Sequence, residues 1–77
     1  GLKYFEEVRK MCKKSSYEFA ISTLDAGFCY SRIGSIDKAE HYTEQAVKIL
    51  SKPRINAKDL LAWAFMNKGI IARERND

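Results

Sequence analysis

The sequence predicts an all-α chain of about four helices folded into antiparallel hairpins, and three observations predict it. Apolar residues recur at three- and four-residue steps through most of the 77 positions. Helix-start and helix-stop residues punctuate those stretches at intervals that match ordinary helix lengths. The composition, 45% hydrophobic and 31% charged with one proline and four glycines, excludes collagen, low-complexity and disordered-linker classes. At well under the usual ~100–200 residues per domain, residues 1–77 form one small module or a piece of a larger array.

Leu2, Phe5, Val8 and Cys12 mark the first helix, Leu2 to Lys13, with Lys13 and Lys14 at its negative end. Ser15-Ser16-Tyr17-Glu18 fits a capping box, so a second helix starts there and carries Phe19, Ala20, Leu24, Gly27, Phe28 and Tyr30 as far as Gly34. Gly34 reads as a stop, because glycine accepts the left-handed backbone that ends helices. Ser35 is the expected cap of the third helix, with Asp37 at its positive end and Ile36, Ala39, Tyr42, Ala46, Ile49 and Leu50 on its apolar stripe, as far as about Ser51. Pro53 disfavours continuation. Asn56 is then the expected cap of a fourth helix beginning near Ala57, with Asp59 at the capping-box position and Ile55 stapled to Leu60. That helix runs through Trp63, Phe65, Met66, Gly69 and Ile70 to Arg75 with no cap before the sequence ends, and so reads as truncated or frayed.

Ala20 and Gly27 in the second helix correspond to Ala62 and Gly69 in the fourth, glycine following alanine by seven residues each time. Glycine inside a helix costs ~1 kcal/mol relative to alanine, so its use at matching places predicts the close approach of a partner helix. Ala39 and Ala46, two turns apart on the third helix, offer the complementary shallow face.

Ala20, Gly27, Tyr30, Gly34, Ala39, Tyr42 and Ala46 resemble the small and aromatic positions of the 34-residue tetratricopeptide repeat, with Pro53 two residues later than the usual helix-ending proline. The best-matched repeat is 20–53, and 2–14 and 57–77 resemble partial flanking repeats. Ala26 departs from a usual leucine, and Gly27 to Gly69 is 42 residues rather than 34, which lengthens the linker between Leu50 and Asn56. The resemblance implies a right-handed solenoid fragment whose hairpins present a concave groove for an extended peptide or a partner helix. Stretched repeats of this kind also resemble those of bacterial peptide-responsive regulators, a second reading of the same residues.

On the register of that resemblance Leu24, Phe28 and Arg32 face the groove, joined by Trp63, Met66, Asn67, Ile70 and Arg73, with Ile21 and Ser31 beside them. Phe28, Trp63 and Met66 are then aromatic and adaptable anchors, and Arg32 and Arg73 are candidates for holding a carboxylate. The Asn67 amide, both donor and acceptor, suits a peptide backbone. The competing reading is core packing for the aromatic residues and plain solvation for the arginines. Leu24 and Phe28 stand where the family's carboxylate-clamp subclass carries polar residues, so no such clamp is predicted.

The chemistry of catalysis is thinly represented. His41 is the lone histidine, and no serine elbow, His-Glu-x-x-His or phosphate loop is present, which predicts a non-enzymatic chain with no cofactor. Cys29 reads as a small buried filler rather than the thiol of a Cys29–His41 pair, and Cys12, Cys29 and His41 lack zinc-ligand spacing. Two cysteines are too few for a disulfide framework, no signal peptide opens the sequence and no stretch is long enough to span a bilayer, so a cytoplasmic location away from membranes is expected. Net charge +4 and a local cluster of Lys48, Lys52 and Arg54 permit phosphate contact, but acids interrupt the basic runs. The expected partner is therefore a protein, a peptide or a second copy of the chain, ahead of nucleic acid.

Overall fold

Local sequence signals resolve into four helices in a computed structural model that describes residues 2–11 and 17–76: α1, Leu2–Met11; α2, Tyr17–Arg32; α3, Ile36–Leu50; and α4, Lys58–Asn76. Among the described residues there is no strand. The capping box opening at Ser15, and the basic end of α1 at Lys13 and Lys14, lie outside them.

Gly34 ends α2 as its chemistry requires. Its φ of +86° is left-handed, the Ser35 amide reaches back to the Tyr30 carbonyl at 2.9 Å, and the Gly34 amide donates to Ser31 O at 3.3 Å, which together make a Schellman closure. Ser35 does precede α3, but only its carbonyl takes part, accepting from the Ala39 amide at 2.9 Å; its hydroxyl makes no cap hydrogen bond. At the next connection Pro53 sits second in a turn closed by the Ile55 amide on Lys52 O at 2.9 Å, a position that favours its fixed φ. The cap expected at Asn56 falls one residue later. Asn56 takes a left-handed φ of +49°, which asparagine tolerates, and Ala57 supplies the first carbonyl of α4 to the Leu61 amide at 2.9 Å.

The contacts run in opposite order along successive helices. Tyr30 meets Tyr42 and Gly27 meets Thr43, so α2 and α3 are antiparallel; Thr43 meets Asn67 and Asp37 meets Arg75, so α3 and α4 are too. Phe28 on Trp63 and Ser31 on Asn67 set α2 and α4 side by side in the same sense. The main core gathers Phe19, Ala20, Leu24, Ala46, Ile49, Leu50, Ala57 and Ala64, with Trp63, Leu60, Leu61, Val47 and Ile55 packed round it. Phe5 attaches α1 through Phe19, at 6.4 Å between ring centroids, and edge-on to Tyr42 at 5.1 Å. No helix among the described residues is long and apolar enough to cross a membrane.

Candidate binding surface

Close helix approach decides what surface is left. At Gly27 a Cβ would collide with Thr43 Oγ1 and stand 3.1 Å from the Thr43 amide nitrogen and 3.3 Å from the Ala39 carbonyl oxygen, so the α2–α3 contact closes over a bare backbone. The buried hydroxyls of α2 do not disrupt it, because Ser22 and Thr23 both donate to the Phe19 carbonyl, at 2.9 and 2.7 Å, within their own helix.

Thr43 also takes part in a polar junction of three helices. Asn67 Nδ2 donates to Thr43 Oγ1 at 2.9 Å, and the Ser31 hydroxyl, donating at 2.8 Å to Phe28 O, passes 3.4 Å from Asn67 Oδ1. Asn67 is wholly buried, and every buried side-chain nitrogen and oxygen among the described residues has a partner. A satisfied, wholly buried amide fixes the register of α4 against α2 and α3, since any slip would strand its donors and acceptors.

The residues assigned to a groove therefore divide. Leu24 and Asn67 are fully buried, one in the core and the other in the polar junction, and neither offers surface to a ligand. Phe28 and Trp63 are half-buried and face each other across α2 and α4, with ring centroids 5.9 Å apart at 52°. Arg32 lies over the Phe28 ring, 5.9 Å from its centroid, and remains exposed. Met66 is 58% exposed, Ile70 is half-buried and Arg73 is exposed. Trp63, Met66, Ile70 and Arg73 follow one another at three- and four-residue steps, so the surviving site is a stripe of α4 bordered by Phe28 and Arg32 of α2.

Phe65, 54% exposed, adds apolar surface on the adjoining side of α4, off the stripe, and was not among the predicted site residues. Its signal lay in the Ala62–Gly69 spacing, which puts Phe65 one turn from each. Thr43 was also missed, although it follows Ala39 by four residues and precedes Ala46 by three on the face that has to meet Gly27. His41 stands edge-on to Tyr42 at 5.0 Å on an exposed part of α3, while Cys29 is half-buried on α2. Lys48 and Arg54 are exposed and Lys52 half-buried around the α3–α4 connection.

At the far end of α4, Arg75 donates to Asp37 Oδ1 at 2.8 Å and Glu40 Oε1 at 3.0 Å. The Asp37 hydrogen bond, then that of Glu40, pushes the Arg75 pKa above its ordinary value. This exposed fork ties the end of α4 to the start of α3.

Comparison with protein-family models, with curated proteins and with solved structures gives no match for this chain.

Proposed function

We propose that the chain is a non-enzymatic helical module, tetratricopeptide-like in its hairpins, that binds a protein or peptide through the apolar stripe of α4 and the adjoining edge of α2. The observation that carries this reading is the 58% exposure of Met66 on the same side of α4 as the half-buried Trp63 and Ile70, with the half-buried Phe28 of α2 against Trp63. Large apolar side chains grouped on one face of so small a fold mark an interaction surface. Arg32 and Arg73 at its margins are free to pair with carboxylates of an incoming chain, and the Phe28–Trp63 pair supplies the rigid aromatic floor typical of interface anchors.

The test is selection from a peptide library on the intact chain, followed by affinity measurement against Met66→Ser and Arg73→Glu, two exposed changes that leave the core alone. Selected peptides should lose about tenfold or more in affinity for each variant. Peptides that bind the variants as tightly as the parent would refute the assignment of this surface.

A further inference from the structure

We infer that the outward face of α4, at Ala62, Phe65 and Gly69, seats an amphipathic α-helix of a partner protein, antiparallel to α4, small-faced like α3 and acidic at its edge. This rests on the binding-module reading and adds to it a second face and the class of its occupant.

The 42-residue offset that relates Gly27 to Gly69 also relates Ala20 to Ala62, Thr23 to Phe65 and Leu24 to Met66. On α2 all four are buried, and α3 is what covers the side that includes Gly27, presenting Ala39, Thr43 and Ala46. On α4 their four counterparts are exposed, and a Cβ on Gly69 would meet nothing within 4 Å. A helix that is apolar on all sides is one covered on all sides. Between Leu60 and Ile71 the polar side chains are Asn67, which is buried, and Lys68. One side of α4 rests on α2 and α3 through Ala64, Asn67 and Ile71; the opposite side has the same apolar character and, among the described residues, no cover.

The occupant's chemistry follows from what faces it. Opposite Gly69 only a small residue brings two helix backbones together, as Thr43 does over Gly27. Phe65, bulkier than the Thr23 it matches, needs alanine-sized space opposite. Lys68, lying 5.9 Å from the Phe65 ring centroid, and exposed Arg73 flank the face with positive charge, so the complementary helix carries acids along its margin. A second copy does not meet these terms with its own α3, because Ala39, Thr43 and Ala46 are already buried against α2.

The test uses the full 77-residue chain, nitrogen-labelled, and a synthetic peptide with the sequence of residues 36–50, held helical by a lactam between the exposed Glu44 and Lys48 side chains. The amide resonances of Ala62, Phe65 and Gly69 should move on titration. Gly69→Leu should weaken the peptide about tenfold or more, and so should Thr43→Leu within the peptide. Phe65→Ser, on the side of α4 turned away from Trp63 and Ile70, should weaken the helical peptide likewise, while library peptides that are lost on Met66→Ser should bind Phe65→Ser unchanged, which separates failure of this inference from failure of the binding-module reading. The inference is overturned by resonances that stay fixed at millimolar peptide, by shifts confined to Gly27 and its surroundings, where the peptide would be replacing α3, or by concentration-dependent self-association through Phe65 without peptide.

Discussion

Gly27 and Gly69 hold matching places on α2 and α4, yet one lies beneath another helix and the other faces open space. The same contrast extends to Leu24, sealed in the core, and its counterpart Met66, which is mostly exposed. The difference teaches that a helix's apolar pattern states how much of it is meant to be covered, while its neighbours decide how much is. On α2 pattern and cover agree; on α4 they do not, and the uncovered remainder is the surface assigned to binding.

Truncation at the two matched apolar positions gives the largest effect. Leu24→Ala should cost about 2–5 kcal/mol of unfolding free energy, the transfer loss plus a cavity among Phe19, Ala46 and Leu50. Met66→Ala should stay within about 0.5 kcal/mol, as exposed substitutions usually do. Urea unfolding of both variants checks this, and equal costs would erase the distinction between the covered and open helices.

The polar junction comes next. Asn67→Ala removes the donor to Thr43 Oγ1 and the acceptor near Ser31, and should cost about 1–3 kcal/mol through the buried hydroxyl left behind. If the junction also sets register, Asn67→Leu should fold with broadened or doubled amide resonances for α4 even where its stability recovers. A single sharp spectrum from that variant would reduce Asn67 to filling space.

Much of this architecture was legible in the sequence. Periodicity and helix-start signals announced the four helices, Gly34 and Pro53 marked the α2–α3 and α3–α4 connections, and the Ala20–Gly27 spacing forecast the close approach that Thr43 and Ala39 complete, whereas the same spacing at Ala62–Gly69 forecast an approach that no described helix makes. The inward turn of Asn67 was not legible. Within a helix as uniformly apolar as Leu60–Ile71, a lone amide reads equally well as a ligand contact or a buried bridge, and the choice depends on Thr43 and Ser31, more than twenty residues away in the chain. Nor was the loss of Leu24 from the groove legible, since its burial depends on a cluster that Ala46, Ile49 and Leu50 of α3 and Ala64 of α4 complete from distant parts of the chain. The caps went astray for local reasons: Ser35 follows the Schellman closure with φ −83° and ψ +73°, short of the extended backbone that aims a capping hydroxyl at the first turn, and Asn56 enters the left-handed region, which leaves Ala57 as the residue before α4.

The two glycines then part in sign. Gly27→Ala forces a methyl against Thr43 and the Ala39 carbonyl and should destabilise by about 1–3 kcal/mol. Gly69→Ala adds a methyl in open space on a helix, removes backbone freedom from the unfolded chain, and should stabilise by about 0.5–1 kcal/mol. Thermal unfolding of the pair is the sharpest check of the covered and open environments, because no general effect of replacing glycine yields opposite signs. Destabilisation by both would mean that the isolated chain already covers Gly69.

The smallest effect belongs to the fork at the end of α4. Arg75 pairs with Asp37 and Glu40 at the surface, where long side chains lose entropy on pairing and salt screens the attraction. Arg75→Ala should lower stability slightly at low salt and not measurably near 1 M salt. The shift raises the pKa of a base, so its contribution is complete below arginine's ordinary value and is lost only as pH rises past it, in strongly alkaline solution. Between about pH 6 and 9 the Arg75→Ala difference should therefore be flat. A difference that survived high salt would assign Arg75 a packing role against Ile71 and Ala72, which line the same depression of about 250 Å³, rather than an electrostatic one. In that case the last turn of α4 would belong with the covered part of the helix, and the open face would end at Gly69.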